Sequence, residues 1–397
     1  MREQLLDLLA CPLCGGGLRF EDADPNGSSP VSIGDSGTNV ENGRLACACG
    51  ADYPLSAGIP RIVSGADADR SSSQRRGAGP PLDPRVAATL RSYSNWWDHV
   101  QKDVSHQLDN AAILRARTGL EPEDVTGKVV LDAGSGNGRI AGVLCDWGAA
   151  AVVGLDLGHG VDRARELLGD RPNLHLVQGS IMNPPFPPES FDIVISLGVL
   201  HHTPDTRAAF NQVASLVKQG GQCAIYLYKR DEYRSGESEF YAGMKQAGGA
   251  LYHEPMRRLV VNLPHRAILA WSRLMTYKRS LLERMARRRP LRALTHLLEF
   301  VLPYDIHKPL ESRAFNVVRN YDHYSTRYLT RHTRQEVIEW FQDQGFDDIH
   351  VLPYPTSVRG VKVATLHDPV TLTLWRERAI DAIESRGVER GPSGPAR

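Results

Sequence analysis

A short apolar run, Lys128-Val129-Val130-Leu131-Asp132, leads straight into Ala133-Gly134-Ser135-Gly136-Asn137-Gly138 and then into Arg139-Ile140-Ala141-Gly142-Val143-Leu144. Glycines at alternate positions let the backbone turn tightly and let a ligand approach where a Cβ would stand in the way. A second apolar strand, Ala151-Val152-Val153-Gly154-Leu155, ends in Asp156, 18 residues past Gly138. That is close to the spacing at which doubly wound folds set a carboxylate against a ribose diol. Strand, glycine turn, helix and strand-ending acid, in this order, point to an α/β fold with a nucleoside-containing ligand at the carboxyl edge of a parallel sheet.

Two cofactor classes use this geometry, and the glycine spacing separates them. A dinucleotide site sets pyrophosphate at the helix N-terminus under Gly-x-Gly-x-x-Gly, whereas here the pattern is Asp-x-Gly-x-Gly-x-Gly. Asp132 would repel pyrophosphate but suits an ammonium, and S-adenosylmethionine (SAM) has an ammonium and no phosphate. In this motif, and through Asn173–Ile181, Phe191–His202 and Leu216–Tyr226, the chain resembles class I SAM-dependent methyltransferases of type 11 over residues 110–230. The resemblance implies a doubly wound, seven-stranded Rossmann-like sheet. It implies Asp132, Gly134 and Gly136 at the methionine portion, Asp156 on both ribose hydroxyls, and Ser180 and Ile181 beside the adenine. Ser135, Leu157 and Ser196 complete the expected cofactor-binding set. Many relatives carry Asp where this chain has Ser180, so the adenine amino contact is expected to be weaker or to come from a main-chain carbonyl.

Asn183-Pro184-Pro185-Phe186 matches the signature with which amino-group methyltransferases hold a base or glutamine, but it precedes the strand Phe191–Ser196 instead of coming after it. It reads as turn chemistry. The strand runs instead into Leu197-Gly198-Val199-Leu200-His201-His202, at the sheet edge where ligands bind. His201 and His202 are therefore the candidate catalytic residues: a neutral imidazole there could take a proton from the acceptor. The competing reading has one histidine packing and the other capping the next helix, since methyl transfer from a sulfonium needs mainly alignment. Tyr226 and Tyr228, ending the fifth strand, are candidate pocket walls.

Of six cysteines, four fall in the first 49 residues, as Cys11-Pro-Leu-Cys14 and Cys47-Ala-Cys49. Two tight thiolate pairs on glycine-rich turns suit a closed tetrahedral structural zinc, whose contribution is folding energy and not Lewis acidity. With Leu5–Ala10 before them and Tyr53-Pro54 and Gly58-Ile59-Pro60 after, residues 1–63 resemble the small zinc ribbons that bind and activate tRNA and protein methyltransferases. The second pair is Cys-x-Cys where that family more often has Cys-x-x-Cys, and the loop between the pairs is long. The start superficially resembles a lipoprotein signal ending at Cys11, but Glu3 and Asp7 interrupt it, and the chain is expected to be cytoplasmic.

The expected order is a zinc ribbon over 1–63, a flexible polar linker over 64–84, lid helices and SAM-binding core over 85–235, a basic helical insertion over 236–318, the rest of the sheet over 319–368, and a terminal helix with a disordered tail over 369–397. Tyr93, Trp96, Trp97 and His99 resemble a lid helix. Between Met256 and Ala293 stand 11 Lys/Arg against Glu283, interleaved with Leu259, Val260, Ile268, Leu269, Trp271, Leu274 and Leu281. Such helices suit an anionic amphiphile, a membrane surface or RNA, or merely a solvated face. Thr333 and Glu336 form a capping box, and strands are expected over Phe346–Leu352 and Gly360–Leu366. Asn320-Tyr321-Asp322-His323-Tyr324 resembles a segment of many bacterial methyltransferases and is expected near the acceptor. No run approaches the roughly 18 apolar residues of a membrane span. Lys+Arg 47 against Asp+Glu 46 gives a net charge of +1, so no whole-molecule field argues for nucleic acid. The expected function is methylation of oxygen, nitrogen or carbon on a small acceptor, anionic or lipid-like. An RNA methyltransferase and a non-catalytic SAM-binding regulator are the alternatives.

Overall fold

The strand Val129–Ala133 (β5) is buried almost throughout, because it is covered by helices on both faces and hydrogen-bonded on both edges. The computed structural model describes residues 1–21, 40–63, 84–95, 109–230, 254–291, 294–295, 298, 312–354 and 356–363. To one side of β5 lie Ala151–Asp156 (β6) and then Leu174–Gly179 (β7); to the other lie Phe191–Leu197 (β8) and Val217–Tyr226 (β9), all parallel. The hairpin Phe346–Val351 (β10) and Ser357–Lys362 (β11) closes the edge, with β11 antiparallel to β9. The order β7-β6-β5-β8-β9-β11-β10 is the expected seven-stranded doubly wound sheet, and it reverses between β5 and β8, where ligands bind in such folds.

Strand periodicity sorts the core into two layers. Val130, Val152, Ile193 and Ile195 pack with Leu114, Ile140 and Leu144 on one face. Leu131, Val153, Val194 and Ile225 pack with Phe210, Val213, Val337 and Phe341 on the other. Burying each aliphatic side chain contributes about 1.5–3 kcal/mol. Helices Arg139–Asp146 (α5), Gly160–Leu168 (α6), Thr206–Ser215 (α7) and Arg334–Asp343 (α11) are crossovers, and α11 opens on the capping box of Thr333 and Glu336. The last strand begins at Ser357, three residues earlier than its apolar run suggested.

The N-terminal residues build onto this sheet. A short helix Glu3–Leu6 (α1) and the strands Leu18–Glu21 (β1), Gly43–Cys47 (β2), Asp52–Ser56 (β3) and Ile59–Ile62 (β4) form an antiparallel meander whose last strand pairs in parallel with β7, Arg61 opposite Gln178 and Ile62 opposite Gly179. Further ties cross the seam, these among them. Ala10 N–H donates to Pro185 O (2.9 Å), Asn183 Nδ2 donates to Pro12 O (3.0 Å), and Arg61 forks onto Asp162 at 2.5 and 3.0 Å. The Asn-Pro-Pro-Phe segment thus holds the cysteine knuckle against the sheet. Most of the expected linker, 64–83, lies outside the described residues.

Helices Pro84–Asn95 (α2), Asn110–Thr118 (α3) and Pro122–Val125 (α4) precede β5. Trp96, Trp97 and His99 fall outside the described residues, as does the tail from 364. After β9, Glu254–Val260 (α8), His265–Ala286 (α9) and Arg313–Ser325 (α10) pack through Val260, Ile268, Met275, Tyr321 and Tyr324. Helix α10 runs across the boundary expected at residue 318, because its Tyr321 and Tyr324 belong to the same apolar cluster as α9. No helix among the described residues is long and apolar enough to cross a membrane.

Candidate active site

The turn after β5 works because Gly134 sits at φ +93°, where a Cβ would come within 2.4 Å of the Val199 side chain. It brings two carboxylates to the carboxyl edge. Asp156 accepts from Gly136 N–H at 2.9 Å through Oδ2 and from Gly158 N–H at 2.8 Å through Oδ1. Burial pushes its carboxyl up, and these two donors pull it down. Asp132 is 3% exposed, and its Oδ2 has no hydrogen-bond partner. Burial raises its carboxyl to about 7 against the opposing charge of Arg139. An unpartnered buried carboxylate oxygen is costly unless a donor completes it. An ammonium beside Asp132 would do so, while the Asp156 oxygens keep lone pairs for a diol; the methionine and ribose of SAM carry these groups.

Both acids line a cavity of about 400 Å³, within the size range of ligand sites. At the β6–β7 side its wall is Asp156, Leu157, Gly158, Ser180, Ile181 and Met182; at the β9 side it is Tyr226, Tyr228, Tyr354, Phe315, Asp322 and Arg117. Tyr93 of α2 and Val318 and Arg319 of α10 also line it. Of the expected site residues, Asp132, Gly134, Ser135, Asp156, Leu157, Ser180, Ile181 and His202 line the cavity. Three residues do other work. Gly136 holds Asp156 through its amide. Ser196 is fully buried and donates to Ala133 O at 2.8 Å, tying β8 to β5, so Leu197 and Gly198 face the cavity in its place. His201 does not line the cavity; it stacks between Tyr228 and His202 at ring distances of 4.0 and 4.1 Å, with both ring nitrogens unpartnered. The two histidines share a 3₁₀ turn, Leu200–His202, in which successive side chains point about 120° apart, so they cannot both face the ligand.

His202 has the geometry of a base. Its Nδ1 lies 3.0 Å from Tyr328 O; a carbonyl only accepts, so Nδ1 carries the hydrogen and Nε2 keeps its lone pair. That Nε2 is buried with no partner. Burial pushes the imidazole's pKa down, with Asp322's charge and the Tyr328 bond opposing it. Nearby, Asp322 accepts from Tyr228 OH at 2.5 Å and from Tyr93 OH at 3.2 Å, joining helix α2, the end of the sheet and α10. Arg117, Arg319 and Tyr354 carry no signal in the sequence that singles them out.

The ligand sulfurs of Cys11, Cys14, Cys47 and Cys49 all lie within 4.8 Å of one another, with Cys11 to Cys49 at 3.8 Å and Cys14 to Cys47 at 3.4 Å. A tetrahedral zinc with Zn–S bonds of about 2.3 Å sets sulfurs about 3.8 Å apart, so the four residues fit that ion. Tyr53 reaches Cys11 Sγ at 3.3 Å.

Fold and cavity together define an α/β domain with two carboxylates, Asp132 and Asp156, on the wall of a cavity at the carboxyl edge of its sheet. Residues 131–225 match the family described as a methyltransferase domain, of type 11. The chain is 33% identical over 124 residues to a Saccharomyces cerevisiae tRNA (carboxymethyluridine(34)-5-O)-methyltransferase, covering 30% of this chain and 42% of that one. It is 34% identical over 143 residues to a Vibrio atlanticus ubiquinone biosynthesis O-methyltransferase, covering 35% and 59%. The chain thus spans only part of each relative's length. Among solved structures, a Haloferax volcanii complex of the Trm112 methyltransferase activator with a methyltransferase aligns at TM-score 0.40 and 17% identity, covering 70% of this chain and all of that one.

Proposed function

We propose that this protein transfers the methyl group of SAM to oxygen, nitrogen or carbon of a small or amphiphilic metabolite, with His202 as the general base. The observation that carries the reading is the unpartnered, neutral His202 Nε2 on the wall of the same cavity as Asp132 and Asp156. When bound, SAM supplies an electrophilic methyl on a sulfonium. Asp132 receives the ammonium, Asp156 the ribose hydroxyls, and Ser180 and Ile181 flank the adenine. Gly198, Val199, Tyr226 and Tyr228 line the same cavity, and the two tyrosines would wall the acceptor. His202 Nε2 takes the acceptor's proton and Tyr328 O holds the resulting imidazolium through Nδ1–H. Helices α2 and α10 line this end of the cavity, and alignment contributes more than proton transfer.

The cysteine cluster, in this reading, holds one structural zinc that fixes the knuckle docked on Pro185 and Asn183. A small acceptor is favoured over RNA because the net charge is +1 and the histidine lies inside the cavity. Transfer of labelled methyl from SAM into fractionated host extract tests this. Label is expected in the small-molecule or lipid fraction. Label only in RNA would overturn the acceptor, and no label in any fraction despite SAM binding would make the protein a regulator.

A further inference from the structure

The far end of the cavity holds a cation with an unfilled role. Arg117, on α3, lies with its guanidinium carbon 4.4 Å from the ring centre of Tyr226 and 5.1 Å from that of Tyr354. Its Nε is buried and has no hydrogen-bond partner, and among the described residues it forms no ion pair. The nearby carboxylate is already engaged: both oxygens of Asp322 accept tyrosine hydroxyls. A guanidinium stacked on aromatic rings keeps its N–H fork in the plane, directed outward, the arrangement that receives a carboxylate through two parallel bonds. The rings that hold it also wall the cavity, 5.4 Å apart between Tyr226 and Tyr354 and edge to face. Flat apolar faces beside a cation suit a planar ring bearing an anion.

Building on the methyltransferase reading above, we propose that the acceptor is an aromatic compound carrying a carboxylate, with Arg117 holding the anion and His202 facing the group that is methylated. The anion is thus bound by α3, a helix of the methyltransferase core, and not by the basic insertion. The methyl donor's own carboxylate has a separate cation available in Arg139, which lines the cavity beside Asp132.

Protein saturated with S-adenosylhomocysteine is titrated calorimetrically with hydroxybenzoates and hydroxynaphthoates, and in parallel with the matching uncharged carboxamides. At least one acid is expected to bind tenfold to a hundredfold more tightly than its amide, the worth of one charge-assisted contact. In Arg117→Met the preference should vanish while SAM affinity stays within twofold, which also reports that the variant is folded. The inference is overturned if no acid outbinds its amide in the wild-type protein, a result that needs no variant. It is equally overturned if Arg117→Met loses SAM affinity and keeps the preference, since Arg117 would then serve the donor. Failure of SAM to bind at all would instead sink the methyltransferase reading itself.

Discussion

Replacing Asp156 with alanine separates the job its carboxylate performs in the structure from the one proposed for it. In the structure its oxygens accept from Gly136 and Gly158 N–H at 2.9 and 2.8 Å, which fixes the glycine turn, and each oxygen retains a lone pair for a ribose hydroxyl. Hydrogen bonds to a charged group contribute about 1.5–3 kcal/mol, so losing the ribose contact should weaken SAM by about one to two orders of magnitude. Calorimetry alone would not tell that loss from a slackened turn. The remedy is a cycle in the ligand: S-adenosylhomocysteine and its 2′-deoxy analogue are each titrated against wild type and Asp156→Ala. The wild-type protein should bind the deoxy ligand at least tenfold more weakly, and the variant should bind both alike. If the variant loses as much on removal of the hydroxyl as the wild type does, Asp156 does not hold the ribose and the reasoning fails.

His202→Gln should lower kcat by about two to four orders of magnitude if proton removal is part of the step, with SAM affinity unchanged; an unchanged kcat assigns catalysis to alignment alone. Because burial lowers the pKa of His202 and the neutral form is the base, the acid limb of the wild-type pH–rate profile should fall below the ordinary imidazole value near 6.5, and a limb above it would contradict the geometry. Elemental analysis should find one zinc per chain, lost in a variant with Cys11, Cys14, Cys47 and Cys49 all changed to serine, and hydrogen exchange should then rise in residues 1–63 before β5 or β6; protein purified without zinc would refute the site. Gly134→Ala adds a Cβ 2.4 Å from Val199 at φ +93°, so SAM affinity should fall at least tenfold along with the melting temperature, and unchanged values would show that the turn tolerates a side chain.

The half of the cavity proposed for the methyl donor is marked in the sequence because its signals are local. Asp132, the glycines and Asp156 lie within two strands and one helix, and the alternation of β5 and β6 already fixes their ends. The acceptor half is assembled from distant segments. Arg117 meets Tyr226 and Tyr354 only through the packing of α3 beside the sheet end, and nothing in its own stretch, Asn110–Thr118, marks it. Tyr226 and Asp322 stand out in sequence as neighbours of the acceptor, but spacing cannot pair them with Arg117 and Tyr93. His201 and His202 are equivalent in sequence and differ only through the 3₁₀ turn. Ser196 shows the converse: a polar residue at a strand end reads as a ligand contact, yet a neighbouring carbonyl satisfies it. The docking of β4 on β7 is hidden too, because a parallel edge pairing depends on a strand more than a hundred residues away and leaves no periodic trace.

The central claim is that the cavity at the carboxyl edge takes SAM and not a dinucleotide. Calorimetric titration of the full chain with SAM and, separately, with NAD tests it most directly. One SAM should bind per chain, with no heat attributable to NAD; binding of NAD in the absence of SAM binding would contradict the account.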